Sequence, residues 1–141
     1  MSVKSKKPWL VLIVAIWLTS SLAWAQATPF AQEVNAAIDR GLDFFRGIEN
    51  NGDMGQRGTG LAVLCFLEKR ANADWNSPPL GYRGMTPEDQ ARIQRSMAYM
   101  INNITGLQGG TPYTYSCGAA LMAMSLYLTT GGPPEVGANI T

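Results

Sequence analysis

Apolar and polar positions alternate in two distinct ways along this chain, and the two patterns predict two kinds of helix. Between Gln32 and Ile48, the apolar side chains Ile38, Leu42, Phe45 and Ile48 recur at steps of four, three and three. That spacing puts them on one helical face, with Asp39, Asp43, Arg46 and Glu49 elsewhere, so an amphipathic helix is expected. Asn50-Asn51-Gly52-Asp53 supplies residues suited to the turn that ends it. From Thr59 to Leu67 the sequence is apolar on nearly every side and closes with Glu68-Lys69-Arg70. A helix enclosed by neighbours is expected, its basic end matching the negative pole of the helix dipole. Only Val63 in its interior is β-branched, which disfavours a buried strand.

The same two patterns then recur. A loop is expected over residues 73–85, where Pro78, Pro79, Gly81 and Gly84 interrupt either regular period. Thr86-Pro87-Glu88-Asp89 signals a helix start: Thr86 as cap, Pro87 in the first turn, Asp89 at the reciprocal capping position. Ile93, Met97, Met100 and Ile104 form its apolar stripe, with Arg92, Gln94 and Arg95 largely outside it. A second all-round apolar run extends from Cys117 to Leu128 and stops before Gly131-Gly132-Pro133-Pro134. The expected fold is therefore all-α, about four helices in two tandem hairpins. Gly60-Leu-Ala-Val-Leu-Cys-Phe aligns with Gly118-Ala-Ala-Leu-Met-Ala-Met at an offset of 58 residues. Arg40 before Leu42 and Phe44 has an echo in Arg95 before Met97 and Tyr99. Both glycines are candidates for close approach of neighbouring backbones.

The N-terminus changes the picture of where the domain begins. Lys4, Lys6 and Lys7 precede an apolar run from Trp9 to Leu18, and Ala25-Gln26-Ala27 follows at the exit. Positive flank, short apolar core and small-x-small site predict a cleaved signal peptide over residues 1–27. Ala23-Trp24-Ala25 offers a cut two residues earlier. A retained anchor is the lesser alternative, because it needs about 20 mostly apolar residues. An exported location, periplasmic or extracellular, follows. The helical domain is then expected over residues 28–134, with 135–141 as a flexible tail that has little to pack.

Removal of the signal also removes three lysines. Residues 28–141 carry eight Arg/Lys against ten Asp/Glu, slightly acidic and without a basic cluster for a nucleic-acid backbone. The chain has no histidine, and so lacks the commonest general base and transition-metal ligand. No metal site and no cofactor are expected. Cys65 and Cys117 lie in apolar runs and read as small buried hydrophobes, although an oxidising compartment would permit a disulfide between them.

Arg40-Gly41-Leu42-Asp43-Phe44-Phe45-Arg46-Gly47-Ile48-Glu49-Asn50-Asn51-Gly52-Asp53-Met54-Gly55 resembles the repeat of the α/α-toroid proteins, the squalene and terpene cyclases and prenyltransferase β subunits. In that repeat a basic residue and glycine precede an aromatic helix, followed by Gln, Gly and Trp. Glu49 stands near the glutamine and Met54 at the tryptophan. Thr59–Leu64 and Tyr113–Leu128 resemble the inner helices of two successive repeats. The resemblance, from Val34 to Gly132, implies outer helices packed around inner ones in a partial toroid. A complete toroid closes with roughly a dozen helices, so four make an open arc whose edges need caps or partners.

The cyclases begin with a D-x-D-D run that this chain lacks, and the prenyltransferases hold zinc through Asp, Cys and His. Glu88-Asp89, the one adjacent acidic pair, is explained by capping. The expected function is thus non-catalytic: an exported repeat module that self-associates or binds a protein partner across its repeat edges. One alternative is a cyclase-like isoprenoid-handling protein with an apolar lipid ligand. In it, Phe44, Phe66, Tyr113, Tyr115 and Tyr127 would line a cavity and Asp53 would be its acid. Another is a truncated, inactive toroid fragment.

Overall fold

The computed structural model describes residues 28–72, 76–103 and 113–137. The expected signal peptide, Ile104 and residues 138–141 lie outside these. Among the described residues there are four helices and no strand: α1 (Pro29–Ile48), α2 (Thr59–Glu68), α3 (Pro87–Asn102) and α4 (Tyr113–Thr129). Short 3-10 turns at Gln56–Gly58 and Tyr82–Gly84 lead into α2 and α3.

Local chemistry sets where α1 and α3 begin. At α1 the Thr28 hydroxyl accepts from the Ala31 amide at 3.2 Å, and Pro29 occupies the first turn. The helix therefore starts three residues ahead of the apolar period, at its cap. Thr86 does the same for α3, accepting from the Asp89 amide at 3.3 Å. The α1–α2 connection turns back sharply: Asn50 and Asp53 exchange backbone hydrogen bonds around Asn51 (φ 50°) and Gly52 (φ 90°). A Cβ on Gly52 would collide with the Arg95 carbonyl, so this turn sits hard against α3.

α1 and α2 form an antiparallel hairpin. Asp39 pairs with Lys69, and seven residues further along α1, Arg46 lies over the Phe66 ring at 5.4 Å. α2 and α4, in contrast, run side by side in the same direction. Gly60 abuts the backbone of Ala119 and Ala120, and further along Leu64 and Glu68 share a cleft with Met122, Ser125 and Thr129. A Cβ at Gly60 would lie 2.7 Å from the Ala120 nitrogen. The missing Cβ, with Ala119, Ala120 and Ala123 opposite, is what brings these two helices so close.

The core joins all four helices, with Leu42, Val63, Phe66, Leu67, Ile93, Met97, Met100, Ala123 and Tyr127 in one cluster. Tyr82, from the loop before α3, completes it. Its ring meets Tyr127 edge-on at 5.0 Å and its hydroxyl accepts from Gln94 at 2.6 Å, tying the start of α3 to the end of α4.

Two expectations are corrected. The α1 stripe is only partly buried: Leu42 is enclosed and Phe45 half-buried, but Ile38 and Ile48 are exposed. α4 is not enclosed, and its far side is open to solvent. Beyond α4, Val136 is half-buried against the core and lines a cleft with Ala91, Gln94 and Tyr99 of α3.

Candidate functional site

A line of charged groups joins α1 to α3. Arg46 donates to both carboxylate oxygens of Asp89, at 2.6 and 3.1 Å, and also to Asp43 at 2.6 Å. Asp89 accepts in addition from Arg92. One turn on, Glu49 accepts from Arg95 at 2.8 and 3.1 Å and from the Gly52 amide at 2.8 Å, and Arg92 approaches it at 3.7 Å. Arg46 and Glu49, at the end of α1, thus meet Asp89, Arg92 and Arg95 of α3, both sets at steps of three.

These contacts fix the charge states. Burial pushes the Asp89 carboxyl up, but the hydrogen bonds and charges of Arg46 and Arg92 outweigh it and hold the group below the usual range. At Glu49 the Arg95 hydrogen bonds dominate and lower the pKa. Asp89 was expected to serve as a helix cap; its carboxylate instead holds two guanidinium groups.

Asp53 belongs to the same junction. It accepts from the Gly55 amide at 2.8 Å, from the Gln56 amide, from Thr59 and from Tyr99. Burial raises its pKa, but these donors together lower it below the usual value. Three of these donors share its Oδ1.

The aromatic candidates divide between surface and core. Phe44 is 63% and Tyr115 60% exposed, whereas Phe66 and Tyr127 are enclosed in the core. Those four do not converge on one cavity. For Tyr113 only the backbone is described, at the first position of α4. Cys65 and Cys117 are both free thiols. Cys65 is exposed where a buried position was expected, because it sits on the side of α2 turned away from α4. Among the described residues no three acidic or cysteine side chains gather to hold a metal ion, and no helix is long and apolar enough to cross a membrane.

What stands out is the far side of α4. Leu121 and Met122 are each 64% exposed and Leu128 52%, with Tyr115 nearly two turns before them on the same helix. A groove of about 380 Å³ runs between α1 and α2, with Val34, Ile38 and Cys65 along it. Lys69 and Arg70 close one end, paired with Asp39 and with the Ser77 carbonyl respectively. The molecule thus has apolar surface on α4 and in the groove between α1 and α2. Pattern analysis missed this because an all-round apolar helix reads as buried, whichever neighbours are present.

No known family, curated protein or solved structure matches this chain.

Proposed function

We propose that this protein is an exported, non-catalytic helical-repeat module, a partial α/α-toroid arc that works by contact through its lateral edges. The observation that carries this reading is the open apolar face of α4, where Leu121, Met122 and Leu128 are more than half exposed. Side chains of this size gathered on one helix are unfavourable in water, by roughly 25 cal/mol per Å² of exposed apolar surface. The parallel course of α2 and α4, with α1 antiparallel beside α2, supports the toroid-like reading. Glu49 and Met54 support it too. They stand near the glutamine and tryptophan positions of that repeat, and one ties the turn to α3 while the other is buried beneath it. The lysine-flanked apolar run at the N-terminus supports export.

A photo-crosslinking amino acid at position 121, introduced into the chain in its native cell, tests the reading. The expected result is a crosslinked adduct in the envelope or extracellular fraction, on a chain whose N-terminus has been processed near Thr28. Absence of any adduct at 121, or an unprocessed cytoplasmic chain, would refute it.

A further inference from the structure

We infer that Asn51 is a covalent modification site, where attack by the Gly52 nitrogen releases the side-chain amide as ammonia, and that Glu49 keeps this site closed while the chain is folded. This goes beyond the contact-module reading and does not depend on it.

Asn51-Gly52 is the one Asn-Gly pair in the chain. The backbone nitrogen of the glycine, once it has lost its proton, attacks the side-chain carbonyl carbon of the asparagine. A C–N bond forms and closes a five-membered imide, and the side-chain nitrogen leaves with a proton as ammonia. Water then adds to either imide carbonyl and opens the ring, to aspartate or to isoaspartate. Glycine favours the attack because no side chain shields its nitrogen. Water is the only other reactant, and Asn51 is exposed beside an open cleft lined by Gln94, Arg95 and Tyr99.

In the folded chain the nucleophile is held back on two sides. The Gly52 N–H donates to Glu49 Oε1 at 2.8 Å. A carboxylate there retains the proton that must leave, and its charge opposes an amide anion beside it. Arg95 fixes that carboxylate through bonds of 2.8 and 3.1 Å. On the other side, a Cβ on Gly52 would lie 2.2 Å from the Arg95 carbonyl oxygen, so the peptide has no space to swing toward the Asn51 side chain. Positive φ at both residues, with the Asn50–Asp53 backbone exchange around them, makes a two-residue type I′ turn. The residue pair that suits this turn is thus also the pair most prone to the reaction, and α3 braces the group that suppresses it. An isoaspartate at 51 would lengthen the turn by one backbone atom and break the Asn50–Asp53 pairing. A chain that reacts while unfolded therefore cannot rebuild the turn.

Peptide mapping by mass spectrometry tests this on the full chain, as processed by its host and incubated at neutral pH. The readout is the amide-to-acid mass change at 51, with the isoaspartyl peptide resolved from the aspartyl one. The parent is followed folded and in urea, beside two folded variants. Glu49→Ala removes the acceptor. Asp89→Asn loosens the same α1–α3 junction without touching Gly52, and so controls for lost stability. The folded parent is expected to react at least about tenfold more slowly than the parent in urea. Glu49→Ala is expected to react at least about threefold faster than Asp89→Asn. If Glu49→Ala does not fold, Glu49→Gln, whose neutral oxygen is a weaker acceptor, is held to the same expectation. Equal rates for the parent folded and in urea would overturn the inference whatever the variants do. So would a Glu49 variant no faster than Asp89→Asn, because general stability and not Glu49 would then protect the site.

Discussion

Asp89 shows how one carboxylate can set the relation between two helices. It accepts from Arg46 on α1 and Arg92 on α3 with little solvent access, so both guanidinium groups depend on it. Asp89→Asn leaves two cations facing a neutral amide and is expected to cost about 2 kcal/mol, the scale of lost hydrogen bonds to a charged group. Chemical denaturation of parent and variant measures it. The pH dependence has a definite sign. Asp89, Glu49 and Asp53 have pKa values lowered by folding, so their stabilisation is complete above the unfolded-state value, near 4, and fades as pH falls further. Tm should be level from neutral pH down to about 5 and decline on further acidification, with a shallower decline in Asp89→Asn. A Tm that rises on acidification would contradict this assignment.

At the scale of helices, Gly60 decides how α2 meets α4. Gly→Ala inside a helix ordinarily stabilises by up to about 1 kcal/mol. Gly60→Ala should do the reverse, because its Cβ would press on the Ala119–Ala120 backbone, which cannot swing aside as a side chain can. A loss of about 1–3 kcal/mol is expected, measurable as a lower denaturation midpoint. Sequence pattern foresaw much at this scale. The cap at Thr86, the Ile93–Met97–Met100 stripe and the direct run from Thr59 into α2 all appear as periodicity and capping predict. The four-helix count was legible too. What stayed hidden depends on which helices are neighbours. A glycine in an apolar run looks the same whether a backbone lies beside it, as at Gly60, or nothing does, as at Gly118. Tyr82 was hidden for a related reason. Its loop has no period to read, yet its ring and hydroxyl bridge α3 and α4.

For the molecule as a whole, the segment after α4 matters as much as the helices. The Thr130 hydroxyl accepts from the Tyr82 amide at 2.9 Å, and Val136 lies over α3. Arrays of stacked repeats often unfold piecemeal, since each repeat touches only its neighbours. Here the end of α4 is fastened to the loop before α3, and the chain beyond it packs against the core. One cooperative thermal transition is therefore expected, with helix content and tyrosine fluorescence changing together. Val136→Asp should lower the midpoint and separate the two probes if the fastening is what makes the four helices unfold as one. This fastening also orders events during synthesis. Tyr82 leaves the ribosome long before Thr130 and Val136, so the first hairpin and its loop must wait, with the Gly60 notch unfilled, until almost the last of the described chain has been made. The four helices therefore pack together late, which gives any machinery that handles unfolded chains a long opportunity to act.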